Sequence, residues 1–151
     1  MGRKKKRLGE VLIEKGLIKP GQLNDALDEQ KITKEFLGTI LLKRNQIKEK
    51  DLLEVLSEQF DIPFISIKYE YVDWEFVKGL SPSLILDYKC FPFHRDDDSI
   101  TVAITNPLDP WVLKKAEEET RGFKLKLVLV SEEDMKDSIE RYKENVQGRH
   151  L

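Results

Sequence analysis

The sequence predicts an α+β fold: an N-terminal helical tandem-repeat module followed by a small α/β module, with helices packed on a short sheet. Two observations indicate this division. A segment of 24 residues with helical periodicity occurs twice within residues 7–59, and the hydrophobic pattern after residue 60 alternates between short strands and helices. With 151 residues and 40% hydrophobic content, the chain can bury a core of ordinary size.

The repeat relates Arg7–Gln30 to Phe36–Gln59 by a shift of 29 residues, from Gly9 to Gly38. Nine of the 24 aligned positions are identical. The identical pairs are Leu8/Leu37, Gly9/Gly38, Leu12/Leu41, Ile18/Ile47, Lys19/Lys48, Leu23/Leu52, Leu27/Leu56, Glu29/Glu58 and Gln30/Gln59. Two copies are too few for a solenoid, so the pattern indicates a pseudo-symmetric helical unit.

Each copy is predicted to contain two helices joined by a short turn. Gly16 ends the first helix, because glycine readily adopts the left-handed conformation that follows many helices. Asn45 replaces it in the second copy and is the next most tolerant residue in that region. Pro20 suits the first turn of the second helix, and the linker between the copies is predicted at 31–35.

After the repeats, an extended run is predicted at 60–67 and two brief helices at 73–80 and 81–88. Strands are predicted at 90–94 and 99–104, with the turn-forming residues 95–98 between them. A loop at 106–110, a helix at 110–120, a strand at 124–130 and a helix at 131–143 complete the order. Ser131 and Asp134 approximate a capping box, with Asp in place of Glu.

The predicted organisation is therefore a basic flexible start at 1–6, the helical tandem-repeat module at 7–59, the α/β module at 60–143 and a disordered tail at 144–151. Net charge of −2 argues against DNA or RNA as a partner. With one cysteine, Cys90, no intramolecular disulfide is possible, and the thiol is expected in the core. Phosphate-loop, zinc-protease and serine-hydrolase motifs are absent, so an enzyme is not predicted.

The candidate functional residues lie in the repeats. A glycine inside a helix costs about 1 kcal/mol relative to alanine, so Gly9 and Gly38 indicate close approach of either another helix or a flat ligand. Gln30 and Gln59 end leucine-lined helix faces, where an amide either caps its own helix or bonds a ligand edge. Arg7 can donate to two acceptors at once, as guanine O6 and N7 present them.

These residues resemble a known family. The pattern R-L-G-x-x-L-x-x-x-G-x-I-x-x-x-x-L-x-x-A-L-x-x-Q, followed after five residues by a second L-G-x-x-L…L-x-x-x-L-x-x-Q, is similar to the N-terminal domain of type II secretion and type IV pilus assembly ATPases. Segments 60–64 and 100–107 and the closing helix through Tyr142 fit the same family. The resemblance covers residues 7 to 143 and implies a receptor for cyclic di-GMP.

The resemblance also implies which residues contact that ligand. Arg7 would contact a guanine edge, and Gln30 and Gln59 would hydrogen-bond to the nucleotide. The leucine and glycine positions would approach the nucleotide or supply apolar contact: Leu8, Gly9, Leu12, Leu23, Leu27, Leu37, Gly38, Leu41, Leu52 and Leu56. No catalytic residue, metal or cofactor is implied.

Three positions depart from the family pattern. Phe36 stands where a second arginine is common, so it would stack on a base instead. Asn45 replaces the later glycine of the second motif. Asn106 stands where an Asp-Pro pair is common and offers a neutral acceptor, with Asp109 nearby as a substitute.

Two functions follow from the resemblance. The first is a cyclic di-GMP-binding regulatory domain whose ATPase motor lies on the same or a separate chain. The second is a docking module that binds the cytoplasmic part of an inner-membrane secretion partner without nucleotide. Both predict a cytoplasmic location, with the second placing the chain at the inner membrane through its partner.

Overall fold

The computed structural model describes residues 6–148, which contain eight α-helices and a three-stranded sheet. The predicted α+β class is confirmed. The helices are α1 (Leu8–Glu14), α2 (Pro20–Thr33), α3 (Leu37–Lys43), α4 (Glu49–Phe60), α5 (Trp74–Val77), α6 (Pro82–Leu86), α7 (Pro110–Glu119) and α8 (Glu132–Asn145). The strands are β1 (Phe91–Arg95), β2 (Ser99–Ile104) and β3 (Lys124–Leu129). The chain forms two compact units, Met1–Gln59 and Phe60–Leu151.

The first unit holds both repeats, each with two helices as predicted. Gly16 has φ +74° and Asn45 has φ +56°, so both positions adopt the left-handed conformation. Pro20 occupies the first turn of α2. The two turns are thus built alike from different residues.

Two predicted boundaries in this region are wrong. Helix α2 continues to Thr33, and Lys34 ends it with φ +63°, so most of the predicted linker is helical. Phe60 is the last residue of α4 rather than part of an extended run, which leaves only an isolated bridge from Phe64 to Leu129. In both places the helix continues past the polar residue at which the sequence predicted its end, because polar residues also occur inside exposed helices.

The second unit is built on a sheet of order β1-β2-β3. Strands β1 and β2 are antiparallel, with a register shift between Pro92 and His94, and β2 and β3 are parallel. Parallel neighbours need a crossover, which α7 supplies. The hydrophobic core of this unit includes Phe91, Val130 and Tyr142. Cys90 is buried as predicted, and burial, with the charge of Glu119, raises the pKa of its thiol to about 12.

Asp134 connects helix α8 to the segment before the sheet. Its amide N–H donates to Ser131 Oγ at 3.0 Å, which is one half of a capping box. Its carboxylate does not complete that box but accepts from the Ile67 amide at 2.6 Å. The Asp that stands in place of the usual Glu therefore makes a tertiary hydrogen bond, which satisfies the buried amide of Ile67.

Other element limits also differ from the predictions. Helices α5 and α6 are shorter, since Asp73 caps α5 through the Phe76 amide and Gly79 lies beyond its end. Helix α8 extends to Asn145, so residues 144 and 145 are helical rather than part of a tail. The rest of the predicted tail from 149 and the basic start through 5 lie outside the described residues. Within 6–148, no helix is both long and apolar enough to cross a membrane.

Candidate functional site

The leucine faces of the two repeats are exposed to different extents. In the first repeat, Leu23 is half-buried and Leu27 keeps 37% of its surface exposed. Their counterparts, Leu52 and Leu56, retain only 5% and 3%. Only the first repeat therefore offers helix-face leucines to an incoming ligand.

The helix glycines admit leucine side chains of the following helix. A Cβ added at Gly9 would lie 2.7 Å from Leu23 Cδ1, and one at Gly38 would lie 2.9 Å from Leu52 Cδ2. Carbon atoms in contact need about 3.5 Å or more, so each glycine lets the paired helices approach. Of the two alternatives for these glycines, helix packing accounts for both positions.

The leucines beside these glycines are mostly internal. Leu8, Leu12 and Leu41 are buried, the last two completely, whereas Leu37 is half-buried. Because these three side chains are buried, they have no exposed surface for a ligand to contact. Their packing instead positions the backbone of each first helix. Their predicted contact with a nucleotide stays a prediction.

Arg7 and Phe36 occupy equivalent positions, each in extended conformation immediately before the first helix of its repeat. The Arg7 amide donates to Glu10 Oε1 at 2.9 Å. Its side chain is exposed, and no ion pair engages the guanidinium within residues 6–148. Phe36 is 36% exposed. One repeat thus presents a cationic fork and the other a flat apolar ring.

The two glutamines are engaged with the backbone. Gln30 Nε2 donates to the Glu35 carbonyl at 3.0 Å, and Gln59 Nε2 donates to the Lys6 carbonyl at 2.7 Å. The Gln59 Oε1 atom is buried and has no hydrogen-bond partner in the described part of the chain. A buried acceptor without a donor costs free energy, so the amide oxygen of Gln59 is left with an unmet hydrogen bond.

Asn106 and Asp109 lie in the second unit and have local partners. Asn106 Oδ1 accepts from the Leu108 amide at 2.9 Å. Asp109 Oδ1 accepts from the Trp111 amide at 3.0 Å, which caps α7. Both side chains have a structural role in the loop before α7, and their predicted ligand contact stays a prediction.

Sequence reasoning missed Lys6, which it assigned to the flexible start. Its ammonium group pairs with Glu14 at 2.5 Å, and its carbonyl is the acceptor for Gln59. The signal that could have found it is the 29-residue shift, which maps Lys6 onto Glu35, the acceptor for Gln30. Among the described residues, no group of three or more His, Cys, Asp or Glu side chains could hold a metal ion.

The model of the MshEN domain family matches residues 60–148, more than half of the chain. The chain belongs to the MshEN domain family. A type IV pilus assembly ATPase, PilB of Myxococcus xanthus, is 31% identical over 136 residues, which is 90% of this chain but 24% of that protein. The chain therefore spans about a quarter of the length of this relative.

Two solved structures have the same fold as this chain. A structure of MshE with cyclic di-GMP is 28% identical, has a TM-score of 0.82 and covers 91% of this chain and 99% of its own. The N-terminal domain of XpsE, at 21% identity and a TM-score of 0.74, covers 94% of this chain and 99% of its own and shares the fold. The predicted family, an N-terminal domain of secretion and pilus ATPases, is confirmed.

Proposed function

We propose that this MshEN domain binds cyclic di-GMP and thereby regulates a pilus or secretion ATPase. The observation that carries the proposal is Arg7, whose backbone is extended before α1 and whose exposed guanidinium has no ion pair among the described residues. The other described arginine of the first unit, Arg44, is engaged in an ion pair with Glu29. The structure of MshE with cyclic di-GMP supports the choice of ligand.

The chemistry of the first repeat suits a purine dinucleotide. A guanidinium fork donates two parallel hydrogen bonds to guanine O6 and N7. Leu23 and Leu27 provide an apolar surface for a flat base, and Phe36 provides a ring for stacking.

The proposed site lies in the first unit and comprises the residues of both motifs. The residues proposed to contact the ligand are Arg7, Leu23, Leu27 and Phe36. The residues proposed to shape the site around them are Leu8, Gly9, Leu12, Gln30, Leu37, Gly38, Leu41, Leu52, Leu56 and Gln59. The ligand is a signal rather than a cofactor. The motor lies on the same or a separate chain, and the protein works in the cytoplasm.

Calorimetric titration with cyclic di-GMP tests the proposal, first on the unaltered chain and then on Arg7→Ala. We expect binding that the substitution weakens at least tenfold, or about 1.4 kcal/mol, because the fork to a guanine edge is lost. The matched control is Arg121→Ala, which removes an exposed guanidinium from the turn after α7. It changes net charge equally and should leave affinity within twofold.

Absence of binding at high micromolar cyclic di-GMP would overturn the proposal and favour the second candidate, a docking module for the cytoplasmic part of an inner-membrane partner. Ile32 favours that candidate, since it lies on α2 with 83% of its surface exposed. Ile32→Asp should then abolish capture of the partner, whereas it should leave cyclic di-GMP affinity unchanged if the first proposal holds.

A further inference from the structure

The glutamine bonds cross from one repeat to the other. Gln30, which ends the helix face of the first repeat, donates to the carbonyl of Glu35 before Phe36. Gln59, its equivalent in the second repeat, donates to the carbonyl of Lys6 before Arg7. Gln59 is the equivalent of Gln30 at a shift of 29 residues, and Glu35 is the equivalent of Lys6. The two bonds are therefore reciprocal: the glutamine of each repeat bonds the residue just before the other repeat.

Ion pairs beside the glutamines are reciprocal as well. Glu29 of the first repeat pairs with Arg44 of the second at 2.7 Å, and Glu58 of the second pairs with Lys15 of the first at 2.9 Å. The same shift relates Glu29 to Glu58 and Lys15 to Arg44. Each Glu-Gln pair therefore contacts the residues on either side of the first helix of the opposite repeat, one before its start and one after its end.

In the first repeat, the bond from Gln59 holds the peptide group that precedes Arg7. The carbonyl of that group, from Lys6, accepts from Gln59, while its N–H, from Arg7, donates to Glu10 Oε1. Both polar groups of one peptide are thus held. In the second repeat, Thr39 replaces Glu10, and the corresponding peptide is held through its Glu35 carbonyl.

We propose that Gln59 is a positioning residue that sets the backbone from which Arg7 reaches the ligand. The inference rests on the proposed function, because Arg7 is the ligand-binding group there. A guanidinium must be oriented to donate two parallel hydrogen bonds. Because the Arg7 backbone is already held in the free protein, binding the ligand costs less conformational entropy. The second repeat thereby contributes to the guanine contact made by the first.

A double-mutant cycle tests this role. Gln59→Met keeps side-chain length and charge but removes the amide donor, and Gln30→Met is the matched control on the reciprocal bond. We expect Gln59→Met to weaken cyclic di-GMP binding at least fivefold in the unaltered chain but less than twofold in an Arg7→Ala background. Gln30→Met should have the same effect in both backgrounds, because it holds the peptide before Phe36.

An equal loss from Gln59→Met in both backgrounds, or no loss at all, would overturn the positioning role. A second measurement needs no ligand and so separates this inference from the proposed function. Backbone amide resonances of Arg7 and Leu8 should shift in Gln59→Met, whereas those of Phe36 and Leu37 should shift in Gln30→Met. Shifts confined to the mutated residue's own repeat would contradict the crossed bonds, whether or not the chain binds cyclic di-GMP.

Discussion

The two repeats share their helices and turns but differ in what they expose. Leu27 and Leu56 occupy equivalent positions at the same helical register, yet the first is 37% exposed and the second 3%. Arg7 and Phe36 likewise occupy equivalent positions with opposite chemistry. The two copies therefore share a backbone, and burial divides them into a copy with an exposed leucine and a copy with a buried one.

The division has an energetic meaning. A buried leucine stabilises the fold by about 1.5–3 kcal/mol relative to an exposed one, so the second repeat carries more of the core per leucine. An exposed leucine contributes little to folding until something covers it. The first repeat thus leaves apolar surface exposed at positions that the second repeat buries.

The largest effect is expected when the equivalent leucines Leu27 and Leu56 are each replaced by alanine. Leu56→Ala should lower the free energy of unfolding by about 2–5 kcal/mol, because it leaves a cavity in a closed site. Leu27→Ala should lower it by about 1 kcal/mol or less but weaken cyclic di-GMP binding. Urea unfolding followed by circular dichroism measures both. Equal destabilisation by the two variants would show that the repeats do not differ in this way.

A smaller effect is expected at the turn that ends the first helix of each repeat. Gly16→Ala should cost about 1–2 kcal/mol, since φ is +74° and the cost comes from the backbone alone. An added Cβ would meet no atom within 4 Å. Gly16→Asn reproduces the second repeat and should cost clearly less than Gly16→Ala in a thermal melt. If the two variants melt together, the turns are not equivalent.

The smallest expected effect concerns the reciprocal ion pairs. Arg44 reaches Glu29 Oε1 through both Nε at 2.8 Å and Nη2 at 2.7 Å, whereas Lys15 reaches Glu58 through one nitrogen. Arg44→Ala should therefore cost up to about 1 kcal/mol, and Lys15→Ala a few tenths, in denaturant titrations at low salt. Both differences should shrink at 1 M salt, and a larger loss from Lys15→Ala would reverse the ranking.

Much of the fold could be predicted from the sequence because its signals are local. Pro20 begins α2 as expected, and Gly16 and Asn45 adopt the left-handed conformation that their residue types favour. The end of α8 at Asn145 and of α2 at Thr33 could not be predicted from polar composition. Polar residues continue an exposed helix as readily as they end it, so only a cap fixes the boundary.

The sequence proposes residues for the candidate site, but it could not predict their arrangement. The motif identified Arg7 and both glutamines, but periodicity gives the register of a leucine and not whether another element covers it. The distinction between Leu27 and Leu56 therefore needed the structure. The crossed bonds of Gln30 and Gln59 join residues 5 and 53 positions apart, and no local pattern predicts the second.

The two repeats carry opposite charge patterns around their first helices. Lys6 pairs with Glu14 in the first repeat, and the equivalent contact in the second joins Glu35 to Lys43, with the charges reversed. Each pair joins the residue before Arg7 or Phe36 to the last residue of the helix that follows, so the pair lies within one copy. A change of one charge alone would bring like charges together, and the contact would be repulsive. Because the copies differ at both partners, each keeps an attractive contact although its direction is reversed.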